Sequence, residues 1–404
     1  MKRALVLFAA GLLCSAAAFG QTELQKPVEP RSGVGVQIDL GSVIRGLSAL
    51  LANNPASAPA FAPGQIVAVW ELADAQEPAA FAAAIQGQVL ASDRLEALAL
   101  HVALIAVDDE RVEASLQLLR DRFPTAVFDR NALVYPQEAA QDGARARQYA
   151  TALIGASALQ RLARSVRIGV IDGAPEPNFA LDVAALAVER FAATDAASDH
   201  ASAVACVLAC RAETGFAGLA PGAELAWAAV LAPGPDGRER GDTYRFARAL
   251  DWMAGRRVDI IHASLGSAPN QVLARVLERT LPRVRAIVAA AGNGGPKGKP
   301  PYPAAYPGVI AVAAVDAEAR PWADGTRGEY ILLAAPGVDV WLPVRQGHYF
   351  TGTSYAAPFV TAWVAQRLAR GQPADGAALC AAARDLPPTG RDEATGCGLL
   401  RWSP

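Results

Sequence analysis

From residue 166 onward, apolar residues come in short unbroken runs separated by longer stretches. The runs 166–171, 225–230, 258–264, 286–290 and 309–315 do not alternate with polar positions. Each therefore reads as a strand covered on both faces. Between and after them, 200–210, 243–254, 271–280 and 355–370 read as helices, with Asp242 as an N-cap and Gly255 just past an end. This alternation predicts an α/β, doubly wound, mostly parallel sheet in 161–404. In such sheets the functional site lies beyond the carboxyl ends of the strands. Asp172 and Asn293 stand at two such ends.

Residues 65–137 follow another pattern. A strand at 65–70 and a helix at 77–85 precede a strand pair across 94–107, a helix at 111–122 and a last strand at 126–128 and 133–135. The order β-α-β-β-α-β is that of a small ferredoxin-like α+β unit. It carries no catalytic constellation. Residues 138–160 open on a polar stretch with the character of an exposed, cleavable linker.

Upstream, Met1-Lys2-Arg3, an apolar run over 4–13 and small residues from Ser15 to Ala18 make residues 1–20 a secretory signal peptide. The run is too short to serve as a bilayer anchor, and Leu13 before Cys14 does not suit lipoprotein processing. Export to the periplasm or beyond the cell is the expectation. Residues 21–64, rich in Pro, Ala, Ser and Asn, read as an irregular spacer. With 404 residues, 52% apolar and 19% charged, the chain can bury a large core. A net charge of −2 and the lack of any basic cluster argue against a nucleic-acid partner.

Candidate chemistry is concentrated in four places. Ser354 lies in Thr351-Gly352-Thr353-Ser354-Tyr355-Ala356-Ala357-Pro358, between a tight glycine turn and an apolar helix. Pro358 is expected near the first helical turn, where a missing N–H costs little. Asp172 ends an apolar strand, and His200 opens a helix apolar all round. Asn293 stands among glycines after the run 289–291. Amide hydrolysis needs a nucleophile, a base, a group that orients the base, and oxyanion donors, and each part has a candidate here. Among the other histidines, His101 falls in the N-terminal unit and His262 in mid-strand, while His348 is the runner-up base.

These stretches resemble the motifs of the subtilisin-like serine peptidases, family S8. Tyr355 replaces Met in the Gly-Thr-Ser-Met-Ala-Ala-Pro signature, and Gly173-Ala174 replaces the hydroxyl-glycine pair after the Asp. Ala201 and Ser202 stand where the family has Gly-Thr after the His. Ser264-Leu265-Gly266 resembles the family's substrate-pairing strand, and the likeness spans 166–400. The order Asp, His, Ser is that of subtilisins rather than of α/β-hydrolases.

The resemblance implies Ser354 as nucleophile, His200 as base, Asp172 as its orienting partner and Asn293 as oxyanion donor. It implies that Ser264, Leu265, Gly266, Ala291 and Gly292 bind an extended substrate and wall a wide pocket for the residue before the cut. It also makes 65–137 a prodomain that acts as an intramolecular inhibitor, with 133–137 near the cleft and cleavage between 137 and 149. The expected protein is an exported, self-processed serine endopeptidase acting on proteins or peptides. The altered neighbours of Asp172 and His200 support a second reading, a catalytically impaired family member acting as a binding or assembly module.

No cofactor is expected. The four histidines have no zinc spacing, and no phosphate loop precedes a helix. No compact carboxylate cluster marks a calcium loop, so a metal ligand set is not assigned. Without Cys14, four cysteines remain, with three pairings open. Cys380 and Cys397 flank a Pro/Gly-rich loop, and their bridge would contribute about 3 kcal/mol. Cys206 and Cys210, at i and i+4 of one helix, are poorly placed for a bridge without distortion, and their state is left open.

Overall fold

Strand β1 (Phe61–Glu71) lies at the centre of the N-terminal unit in the computed structural model, which describes residues 59–137, 149–156 and 161–402. The signal peptide, nearly all of the spacer and segments 138–148 and 157–160 of the linker lie outside the described residues. After β1 come α1 (Pro78–Ala84), β2 (Gln88–Leu95), β3 (Leu100–Ala106), α2 (Val112–Arg122) and β4 (Val127–Pro136). The strands pair antiparallel in the order β2-β3-β1-β4.

The period of two decides what this sheet touches. Ile66, Ala68 and Trp70 of β1 pack with Phe81, Leu116, Leu119 and Phe128 in a core between the sheet and its own helices. Val67 and Val69 face the other way and join the core of the larger unit, together with Leu100 and Val102. Both faces of the small sheet are thus buried, and only one is covered by its own helices.

The larger unit begins with α3 (Tyr149–Ile154), which falls inside the stretch read as linker; Ala150 and Ile154 are buried. It continues with β5 (Arg167–Asp172), β6 (Val183–Arg190), α4 (Asp199–Ala209), β7 (Ala223–Ala229), β8 (Ala232–Pro233) and β9 (Glu239–Asp242). Next are α5 (Thr243–Gly255), β10 (Ile260–Ala263), β11 (Leu265–Gly266), α6 (Gln271–Thr280), β12 (Ala286–Ala290), β13 (Ile310–Val315) and β14 (Ile331–Pro336). The chain closes with β15 (Val340–Leu342), β16 (His348–Phe350), α7 (Thr353–Ala369) and α8 (Gly376–Ala382).

The main sheet runs β14-β13-β12-β10-β5-β7-β6, and all its pairings are parallel. From β5 the chain winds outward to β6 and back through β7, then crosses to β10 and on to β14. Its direction therefore switches between β5 and β10, where a crevice is expected. Asp172 ends β5, and Ser264 follows β10. The two edge strands, β6 and β14, were not foreseen, although 183–188 and 331–335 are unbroken apolar runs; on β6, Leu186 and Val188 are exposed.

Helix α7 starts at Thr353, which puts Pro358 well inside the helix rather than in its first turn. A proline there leaves the carbonyl of Ser354 without its i+4 donor. The Ser264 hydroxyl supplies the missing bond, donating to the Ser354 carbonyl at 2.8 Å. Cys380 is bridged to Cys397, closing the expected loop. Cys206 is bridged to Cys210 as well, with Cα atoms 4.3 Å apart. The last turn is drawn in for it: a regular helix keeps these Cα atoms about 6 Å apart, while the Cys210 N–H still donates to the Cys206 carbonyl at 2.9 Å.

Candidate active site

Asp172 and His200 meet at the carboxyl end of the main sheet. Asp172 is fully buried at the end of β5, and His200 is 1% exposed in the first turn of α4. His200 Nδ1 lies 2.8 Å from Asp172 Oδ1. The same oxygen accepts the Gly173 N–H at 2.6 Å. Asp172 Oδ2 is buried with no hydrogen-bond partner among the described residues. A carboxylate next to Nδ1 makes that nitrogen the N–H, which leaves Nε2 as the basic atom. The Tyr355 ring packs on the imidazole with centroids 5.6 Å apart, and Phe350 packs behind Tyr355 at 5.1 Å. His348, the runner-up base, is exposed on β16.

Ser354 is fully buried at the start of α7. Its hydroxyl donates to the Ser264 carbonyl at 3.0 Å, while the Ser264 hydroxyl donates back to the Ser354 carbonyl. The two serines are thus laced together. Behind them, His262 Nε2 is 2.8 Å from Ser264 Oγ, and His262 Nδ1 is 2.8 Å from Thr361 Oγ1. Burial pulls the His262 pKa down to about 3, with the charge of His200 adding to the effect. His262 is therefore neutral and serves as a strut.

Asn293 is held from one side only. Its Oδ1 accepts the Thr353 N–H at 3.1 Å and the Thr353 hydroxyl at 2.8 Å. A backbone N–H can only donate, so these bonds fix which end of the amide is oxygen. Nδ2 is left buried with no hydrogen-bond partner among the described residues. Thr353 Oγ1 also accepts the Gly292 N–H at 3.0 Å. Gly292 has φ +107°, and a methyl there would stand 2.7 Å from Pro301 Cγ.

The Ser354 N–H finds its acceptor in the N-terminal unit. Strand β4 runs into the crevice between β9 and β11, pairing Leu133 with Asp242 and Val134 with Gly241 on one side. On the other side Tyr135 pairs with Gly266 and Pro136 with Leu265. The Gln137 N–H donates to the Ser264 carbonyl at 3.2 Å, and the Ser354 N–H donates to the Gln137 carbonyl at 3.2 Å. A methyl on Gly266 would lie 2.6 Å from Gln137 Nε2 and 2.9 Å from Pro301 Cβ. Buried Pro301 therefore fills the space between Gly266 and Gly292. Pro301, which no motif had singled out, thus stands where the small side chains of Gly266, Ala291 and Gly292 led us to expect open space.

The N-terminal unit is also pinned by charge. Glu71 on β1 pairs with Arg275 at 2.6 Å and with Arg279, both on α6. Burial acts to raise the Glu71 carboxyl, but the two guanidinium groups outweigh it and hold its pKa below the ordinary value. Asp93 pairs with Arg248 at 3.1 Å, and Asp251 Oδ1 accepts the Leu98 N–H at 3.0 Å. Among the described residues no group of acidic, histidine or cysteine side chains could hold a metal ion, and no helix is long and apolar enough to cross a membrane.

Comparison with known proteins places this arrangement. The model of the subtilase family matches residues 184–398, which include His200, Asn293 and Ser354. The minor extracellular protease Epr of Bacillus subtilis is 29% identical over 250 residues, covering 59% of this chain and 38% of that protein. Subtilisin E of Bacillus subtilis is 31% identical over 170 residues, covering 40% of this chain and 44% of that protein. The chain thus matches less than half the length of these relatives. Fervidolysin from Fervidobacterium pennivorans, described as a keratinolytic enzyme related to subtilisin, shares the fold with a TM-score of 0.67 at 21% identity. That superposition covers 85% of this chain and 60% of fervidolysin. The match to more than half of the chain shows that it belongs to the subtilase family.

Proposed function

We propose that this chain is an exported serine endopeptidase, made as a zymogen that cuts itself after Gln137. The observation that carries the reading is the seating of Gln137. Its N–H and carbonyl are held by Ser264 and Ser354, with strand pairing on either side of the residues before it. An extended chain held this way offers its carbonyl carbon to Ser354 Oγ.

In the reaction, Ser354 Oγ leaves the Ser264 carbonyl for His200 Nε2 and attacks as its proton is taken. Asp172 keeps the imidazole in the right tautomer and stabilises its charge. Negative charge on the former carbonyl oxygen meets the Ser354 N–H and Asn293 Nδ2. The orphaned state of Nδ2 supports that role, because a donor left unpaired in the ground state gains most in the transition state. His200 then gives its proton to the leaving amine, and water resolves the acyl-enzyme by the same route.

On this reading residues 65–137 are a ferredoxin-like prodomain, which remains in the cleft as a product-like inhibitor after cleavage. The order of its strands and the burial of its second face against the larger unit support this. Substrates are proteins or peptides bound as a strand between β9 and β11.

The test is the N-terminus of the processed protein. Full-length wild-type chain is expected to yield a mature form beginning at Glu138, and the Ser354→Ala chain to stay uncut apart from signal removal. Equal processing of both, or a mature N-terminus elsewhere, overturns the reading. The unpartnered Asp172 Oδ2 favours the other reading, an impaired enzyme used for binding. Labelling by a fluorophosphonate, lost in Ser354→Ala, decides against it.

A further inference from the structure

Gly173 follows Asp172 with no side chain, and the space beside it is taken. A Cβ at 173 would stand 2.6 Å from Ser198 Cβ, 2.9 Å from Ser198 Oγ and 3.4 Å from Glu239 Oε1. Ser198, 2% exposed, is the N-cap of α4, and its hydroxyl accepts the Ala201 N–H at 3.1 Å. The same hydroxyl donates to Glu239 Oε2 at 2.7 Å. The Ser198 N–H donates to the Ala174 carbonyl at 2.7 Å, fastening the cap to the loop after Asp172. Ser202 adds a second tie, donating to the Ser198 carbonyl at 2.8 Å and accepting the Glu176 N–H at 2.9 Å.

Glu239 belongs to β9, whose Gly241 and Asp242 pair with Val134 and Leu133 in the crevice. The carboxylate therefore joins the strand that receives the extended chain to the turn that carries His200. We propose that Glu239 is a positioning residue: acting through Ser198, it sets the first turn of α4 and so the geometry of the Asp172–His200 pair. A hydrogen bond to a charged acceptor, about twice as strong as a neutral one, suits this role at a helix N-cap. The inference deepens the peptidase reading and, for its kinetic readout, rests on it.

The test compares Glu239→Ala with Glu239→Gln, whose amide oxygen can still accept the Ser198 hydroxyl. With mature enzyme on a peptide substrate, Glu239→Ala is expected to lower kcat about tenfold, the order of one lost charge-assisted bond. KM should stay within about twofold, and Glu239→Gln should recover most of the rate. A second readout needs no turnover: the far-downfield proton resonance of His200 Nδ1–H in full-length Ser354→Ala protein. It should shift or broaden when Glu239→Ala is added and persist with Glu239→Gln. An unmoved resonance with unchanged kcat in Glu239→Ala overturns the proposal. So does a change confined to KM, or equal damage in the Gln and Ala variants. Wild-type protein without Ser354-dependent hydrolysis would instead sink the peptidase reading, while the resonance would still decide the positioning role.

Discussion

The His262 imidazole and the Ser264 hydroxyl, 2.8 Å apart, form the strut behind Ser354. Ser264 spends its one proton on the Ser354 carbonyl, so His262 Nε2 must be the donor to Ser264. In the neutral ring this puts the one proton on Nε2, and burial has pulled the pKa down to about 3. The unfolded chain holds a histidine near 6.5, so between these values it binds more protons than the native state. Stability from this group is complete above about 6.5 and falls as the pH drops toward 3. His262→Asn is expected to be less stable at neutral pH. Its unfolding free energy should also fall less steeply in acid than that of the parent, by roughly 1.4 kcal/mol per pH unit within the window. Denaturant titrations of both proteins, in the Ser354→Ala background, check this; parallel slopes would refute it.

If Asn293 is the proposed oxyanion donor, Thr353 is its support. Asn293→Ala should lower kcat by about a hundred- to a thousandfold with little change in KM, a magnitude taken from subtilisin's own asparagine. Thr353→Val removes the hydroxyl that orients Asn293 but leaves the amide present. About tenfold is expected there, the order of one misplaced hydrogen bond. Steady-state kinetics on one peptide substrate decide the ranking; a Thr353→Val enzyme as impaired as Asn293→Ala would contradict it.

Pro301 should set the size of the residue accepted before the cut. Pro301→Gly opens the space between Gly266 and Gly292 and is expected to favour bulky aromatic residues over Gln at that position. One to three kcal/mol of pocket discrimination corresponds to about ten- to two-hundredfold in relative kcat/KM. A library of peptides varied only at that position measures the shift, and an unchanged preference would show that Pro301 does not line the pocket in solution.

Glu71 should govern how tightly the N-terminal unit holds on. Its two arginine partners are partly exposed, so the pair is screened and contributes about 1 kcal/mol. Glu71→Gln in the isolated 65–137 segment should weaken inhibition of the mature enzyme about fivefold at low salt. The difference between the two segments should shrink as salt rises. Because arginine holds the Glu71 carboxyl low, its contribution is present above the ordinary carboxylate range and lost as acid protonates it. Identical inhibition by both segments at every salt concentration would remove Glu71 from the interface.

The sequence by itself determined five of the seven strands of the parallel sheet, the main helices and the stretches holding Asp172, His200, Asn293 and Ser354. These are local matters: a strand covered on both faces must be an unbroken apolar run, and a capped helix carries its own start and stop signals. Edge strands β6 and β14 escaped although both hold apolar runs, because a run by itself does not say that its segment joins the edge of a sheet. The Cys206–Cys210 bridge escaped because a regular helix keeps i and i+4 about 6 Å apart at Cα, whereas the last turn of α4 is drawn in to 4.3 Å.

Only the tertiary structure decided what stands behind the motifs. Gln137 against Ser354, Glu239 against Ser198, Pro301 between two glycines and His262 against Thr361 join residues far apart in the chain or facing one another across elements. No periodicity records such pairs, because each residue alone suits a loop, an exposed strand or a core. Their roles arise where β4 enters the crevice between β9 and β11, at the switch between β5 and β10. The cost of leaving a buried polar group unpaired then selects which side chains must meet there.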